Sequence, residues 1–151
     1  MEQWELLARI LLAAVLGYGI GWEREFRGKP AGERTFALIA LGAAAFTGIG
    51  LDRFTVTSTT RIVQGVITGV GFLGAGLIFR PERGTVHGLT TAASAWAACA
   101  IGVLAGAGDY LIAAATAAAV ILILELNYVP VVRRFDARRR QRARSEGEEE
   151  G

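Results

Sequence analysis

Few side chains in this sequence can do chemistry, and the ones that can are ionisable or polar groups set in apolar runs. Glu125 lies within the run from Tyr110 to Val132. A carboxylate there is costly to hold, which makes it a functional candidate. Its place near the end of the run also lets it reach water or an arginine, so both readings stand. Arg9 sits in the first run with Glu5 one turn before it, a spacing that allows an ion pair, and its long stem can snorkel. Thr90 and Thr91 open the fourth run after His87, Gly88 and Leu89. Threonines there can cap a helix or bond a neighbouring carbonyl. His87 can titrate near neutral pH, although a lone loop histidine is ordinarily just solvated. Cys99 is the one cysteine and lies in an apolar run, which reads as a small buried side chain. No nucleophile and base, metal-ligand set or carboxylate pair occurs at useful spacing. The expectation is a non-enzyme with no catalytic residue, cofactor or metal.

Glycine carries more information than any ionisable group. Gly17 and Gly21, Gly65 and Gly69, and Gly102 and Gly106 are each four apart. Small residues at that spacing let helix backbones approach in lipid, where apolar tails give no hydrophobic drive to associate. The main expectation is packing within the fold; dimerisation or a mobile helix is the alternative. Gly69, Gly71 and Gly74 also match the dinucleotide pattern G-x-G-x-x-G. The match fails on context. The fingerprint needs a strand before it, a helix after it and an acid about 20 residues on.

Between the first two runs stands a charged segment, Glu23 to Thr35. Glu23 and Arg27 can pair on one turn, and Gly28 and Pro30 then stop the helix. The segment is either a turn that sets topology or a cluster of Glu23, Arg24 and Arg34 acting as an interface or ion sensor.

The elements that must position these residues are five apolar runs: Trp4 to Trp22, Thr35 to Leu51, Ile62 to Phe79, Leu89 to Ala107 and Tyr110 to Val132. Each is near the roughly 17–25 residues that a helix needs to cross a bilayer. The runs lack the alternation of barrel strands, and lipid forces each segment to satisfy its own backbone. The fold class expected is all-α, a polytopic membrane bundle of about five transmembrane helices solvated by lipid. Thirteen Lys and Arg residues fall on one side of that arrangement and two, Arg53 and Arg61, on the other. That bias puts the N-terminus outside and the C-terminus in the cytoplasm. Glu2 and Glu5 stand at the start of the first run, where a signal peptide would be positive, so it reads as a retained anchor rather than a signal peptide. The membrane domain is expected over residues 1–132 and a charged, disordered tail over 133–151. Seven of the sixteen basic residues lie between Arg133 and Arg144, which suits anionic lipid heads better than nucleic acid.

Four blocks in this order and spacing resemble the MgtC/SapB family. They are Glu23-Arg24-Glu25, Gly28 through Thr35, Gly69 through Gly76, and Gly88 through Ala93, with Trp96 and Gly102 beyond. The resemblance runs from the first span to about Tyr128. It implies a multi-pass protein of the bacterial inner membrane. It also implies a link to magnesium limitation and survival in host cells, with the membrane ATP synthase as a partner to be restrained. Members often carry a soluble ACT-like C-terminal domain. Only a short tail follows Tyr128 here, which places the chain nearer the short SapB-like members. The residues expected to matter are Glu23, Arg24, Arg34, Thr35, Gly69, Gly71, Gly74, Gly76, Thr90, Thr91, Trp96 and Glu125. A small transporter or ion sensor, with Glu125, Arg9 and the threonines along a polar path, is the rival reading. A homo-oligomeric scaffold is the third.

Overall fold

The computed structural model describes residues 2–78 and 86–126. Within them the chain forms five helices: α1 (Gln3–Phe26), α2 (Glu33–Arg53), α3 (Val56–Leu77), α4 (Leu89–Ala107) and α5 (Tyr110–Leu126). Among the described residues there is no strand. Helices α1 to α4 are each long and apolar enough to cross a membrane. The described part of α5 is 17 residues; the rest of its expected run, and the expected tail, lie outside the described residues. Residues Met1–Val120 form one compact unit, and a second begins at Ile121.

Helices α1 and α2, and α3 at its start, extend past the apolar runs because polar residues at their ends are also helical. Glu33, Arg34, Asp52 and Arg53 lengthen α2 to 21 residues. Helix α3 starts six residues before its apolar run. Thr55 caps it, accepting the Ser58 N–H at 3.3 Å. The hydroxyls of Thr59 and Thr60 then donate to carbonyls one turn back, at 3.0 and 2.9 Å. Helix α1 stops as its glycine and proline suggest. Gly28 takes φ +61, and its N–H and that of Lys29 bond to the carbonyls of Glu25 and Arg24. That is a Schellman ending, in which a left-handed residue closes the last turn.

Helix α2 is the centre of the unit, gripped on two sides. On one side α1 runs antiparallel to it. Gly17 lies against the Phe36 carbonyl and Gly21 against the backbone of Gly32 and Glu33; a methyl on Gly17 would stand 2.5 Å from that oxygen. On the other side α4 runs parallel to it. Gly102 faces Ala40 and Gly106 faces Ala44, where a methyl on Gly106 would stand 2.5 Å from the Ala44 carbonyl oxygen. Two small-residue repeats of the same four-residue spacing thus lie face to face, and the backbones touch.

The core is correspondingly made of small side chains, among them Ala13, Ala40, Ala44, Ala95, Ala98 and Ala105. Large apolar residues point outward: Trp4, Leu7, Leu11, Val15, Tyr18 and Trp22 of α1 are all exposed. This inverts the distribution of a water-soluble protein and fits lipid contact. Trp4 and Trp22 are separated by about 27 Å of helix. That is close to the thickness of the hydrocarbon layer, at whose two faces tryptophan concentrates.

Candidate functional site

The charged end of α1 holds the first candidate group. Helix α1 buries Ala13, Gly17, Ile20, Gly21 and Arg24, one stripe at helical period, so Arg24 is carried into the packed face. It is 3% exposed. Its Nε and Nη2 donate to the two carboxylate oxygens of Glu23, the second at 2.7 Å. Arg27 Nε lies 3.8 Å from the same carboxylate, as the four-residue spacing suggested. A forked pair like this holds geometry as well as charge. Arg34 and Thr35 are exposed on the first turn of α2. The anticipated cluster of Glu23, Arg24 and Arg34 is therefore a buried pair beside an open arginine.

The glycines separate into two kinds, some filled by packing within the fold and some left open. Gly74 of α3 is buried with Ala92 of α4 3.8 Å from where its methyl would be. Gly65, Gly69, Gly71 and Gly76 would meet nothing within 4 Å. Gly71 is on the outward face of α3, whereas Gly65 and Gly69 are open because the middle of α3 stands off from α2. Between them is a groove of about 490 Å³ whose lining includes Leu38, Gly42, Phe46, Gly65, Gly69 and Leu73. Gly42 also has open space beyond its Cα. The groove is thus apolar, shallow at its glycines and walled by Leu38, Phe46 and Leu73.

The remaining candidates lie on α4 and α5. The threonines do not cap α4: its N-cap is Gly88, at φ +88. A methyl on Gly88 would collide with the Leu77 carbonyl, so glycine is required there twice over, by its left-handed backbone and by the close approach of α3. Thr90 is exposed, with its carbonyl accepting from Ser94 Oγ at 2.7 Å, and Thr91 is buried. Trp96 is 54% exposed on the outer face of α4. Glu125 lies in the last described turn of α5. Thr91 is buried while Thr90 and Trp96 face outward, so these three do not form one site.

Two features were missed by the sequence reasoning. Arg9 does pair with Glu5, at 2.5 Å, but it does not simply snorkel. Its Nη1 donates to the Gly106 carbonyl at 3.0 Å, and its guanidinium stands 5.8 Å from the Tyr110 ring centre. It ties the start of α1 to the end of α4. The absence of a side chain at Gly106 was the available signal. Thr47 is the second: it is buried in α2, and its hydroxyl has no hydrogen-bond partner among the described residues.

A sequence model of the MgtC family matches residues 10–132. The chain belongs to the MgtC family. Its MgtC-family relatives include the protein MgtC of Brucella abortus, 47% identical over 111 residues, which cover 74% of this chain and 45% of that one. An uncharacterized protein of Haemophilus influenzae is 37% identical over 149 residues, 93% of this chain and 62% of its own length. The putative magnesium transporter YhiD of Escherichia coli is 39% identical over 130 residues, 81% and 60%. The chain thus spans about half to three-fifths of the length of these relatives. No solved structure matches. Family membership and four membrane-capable helices together make this a membrane protein. The MgtC-family match covers α1 to α5, and so takes in the groove and the Glu23–Arg24 pair.

Proposed function

We propose that the chain is a non-enzymatic, multi-pass protein of the bacterial inner membrane that modulates another membrane complex, seating one of its helices in the α2–α3 groove. The observation that carries this is the set of glycines in the groove. Gly42, Gly65 and Gly69 have no neighbour where a side chain would be, although the glycines of α1 and α4 with the same spacing are filled by α2. A lipid-exposed surface stripped of side chains forfeits packing unless another backbone comes close. By resemblance the complex is the ATP synthase, and the setting is magnesium limitation and virulence or stress adaptation. The excess of basic residues on the Arg24 side supports a cytoplasmic C-terminus. The buried Glu23–Arg24 pair stiffens the same end of the bundle.

The test is recovery of native partners in mild detergent. The wild-type chain should bring down ATP synthase subunits, and Gly69→Leu should not. Gly69 has room for the larger side chain, so helicity and thermal stability should be unchanged. If the wild type recovers no ATP synthase subunit, that partner is wrong; if Gly69→Leu recovers them as well as wild type, the groove is not the seat.

The transporter reading draws on one observation, the buried polar groups Thr47, Thr91 and Ser94 between the helices. It accords with the name of the E. coli relative, a putative magnesium transporter. Magnesium or proton flux in proteoliposomes, abolished by Glu125→Ala, would favour it over the regulator.

A further inference from the structure

Away from the groove, α3 carries a second surface whose composition is wrong for lipid. Gln64, Thr68, Gly71 and Ala75 recur at alternating intervals of four and three residues and are all exposed. Arg61, also exposed, continues the series one turn toward the Arg53 end of the bundle. On α1 the equivalent outward line is Trp4, Leu7, Leu11, Val15, Tyr18 and Trp22, bulky throughout, as lipid contact favours. The α3 line instead has two small and two polar side chains, with bulky exposed Ile67 and Phe72 on its two flanks. Of the four membrane-capable helices, α3 is the least buried within the chain.

Gln64 makes the line more than a stripe of small residues. Gly50 of α2 packs against Thr59 and Ile62 of α3, and Gly50 is next to the last residue of the uncharged α2 run. Gln64, one turn further along, therefore lies about 5 Å inside the apolar layer. Its side-chain amide makes no hydrogen bond within the described residues; only its backbone carbonyl is used, by Thr68 Oγ1 at 2.8 Å. An amide facing hydrocarbon without a partner is unfavourable, and glutamine is among the residues that bond across helices in membranes.

We infer that this line is the seam of a parallel homodimer, in which α3 packs against α3 of a second copy. Three features select a second copy. The 3.5-residue recurrence is the repeat of a left-handed pair crossing at about +20°. Two copies inserted with the same sidedness must present α3 in parallel about a two-fold axis along the membrane normal, so each position meets its own counterpart. Glutamine is the residue best suited to meet itself, because its amide holds both donors and an acceptor. Thr68 fits the same pattern: its hydroxyl donates within its own helix and keeps a lone pair for the Gln64 amide of the second copy, about one turn away. Arg61 sits where the seam leaves the apolar layer, and its stem lets the two charges diverge into water. By helical phase the seam is on the side of α3 away from the groove, so a dimer leaves the groove open.

The test is oxidative cross-linking of single cysteines in native membranes, in a Cys99→Ala background. Gln64→Cys, Thr68→Cys, Gly71→Cys and Ala75→Cys should give disulfide-linked dimers. Ile67→Cys, on the flank, and Gly69→Cys and Leu73→Cys, in the groove, should not. A second measurement is energy transfer between labelled copies in lipid vesicles. Gln64→Leu should weaken association about three- to tenfold and Gln64→Asn should restore most of it. Cross-links at the groove positions only, equal yields at every position, adducts to a different protein, or a Gln64→Leu chain that associates like wild type would each overturn the homodimer.

Discussion

Replacing Gly102 with alanine tests whether backbone contact holds the bundle together. The added methyl would stand 2.7 Å from Ala43 Cβ and 3.0 Å from the Ala40 carbonyl carbon, and nearer still to the Ala40 carbonyl oxygen. Carbon atoms in contact prefer about 3.5–4.0 Å. Helix α4 must therefore retreat from α2 by about 1 Å, since the obstacles are backbone and a methyl with no rotamer to change. A gap of that size forfeits up to about half of each dispersion contact along the seam. Overpacking of this kind costs about 1–3 kcal/mol, and the better helix propensity of alanine returns about 0.5–1. The net expectation is a loss of about 1–2 kcal/mol, or roughly 5–30-fold in the unfolding equilibrium. Gly69→Ala is the matched control, because a methyl there meets nothing within 4 Å; it should be neutral or slightly stabilising. Denaturing-detergent titration in bicelles, followed by helicity and tryptophan fluorescence, reads both. Equal stability of Gly102→Ala and wild type, or equal losses from Gly102→Ala and Gly69→Ala, would refute the reasoning.

Two further outcomes follow from buried polar groups. Arg24→Met should destabilise by about 3 kcal/mol in the same titration, because it leaves the Glu23 carboxylate buried without its fork; adding Glu23→Gln should recover most of the loss. Thr47→Val should be neutral or stabilising by up to about 1 kcal/mol, since it removes a buried hydroxyl that has no partner. A Thr47→Val chain that is destabilised instead would show that the hydroxyl is hydrogen-bonded in the membrane.

The helices were legible because lipid imposes one demand, a long apolar run, that can be read without knowing the neighbours. Their ends were legible where a local device sets them, as at Gly28, and less so at Thr55, whose cap lengthens α3 into polar sequence. Pairings between helices were not. Gly17 and Gly21, Gly65 and Gly69, and Gly102 and Gly106 share one spacing, yet only the first and third are filled. Spacing records that a backbone can approach, while the partner depends on how the chain returns across the bilayer. Ala40 and Ala44 share that four-residue spacing, but only the structure pairs them with Gly102 and Gly106. Gly88 shows a similar limit: two threonines look like caps, but the left-handed residue before them takes the position. Of the candidate residues, Glu23 and Arg24 come together, the open glycines share one helix, and Thr90 and Trp96 stand apart on α4.

Because α2 and α4 lie side by side and point the same way, the chain must travel back between them, and α3 is that return stroke. It is tethered at one end by the two-residue link Phe54–Thr55 and at the other by Gly88 seated on Leu77. Between those two anchors the rod has open space along Gly65 and Gly69. Gly88 seats the end of that rod against the opening turn of α4, so an occupant of the groove would lean on the one helix whose far end bears on α4.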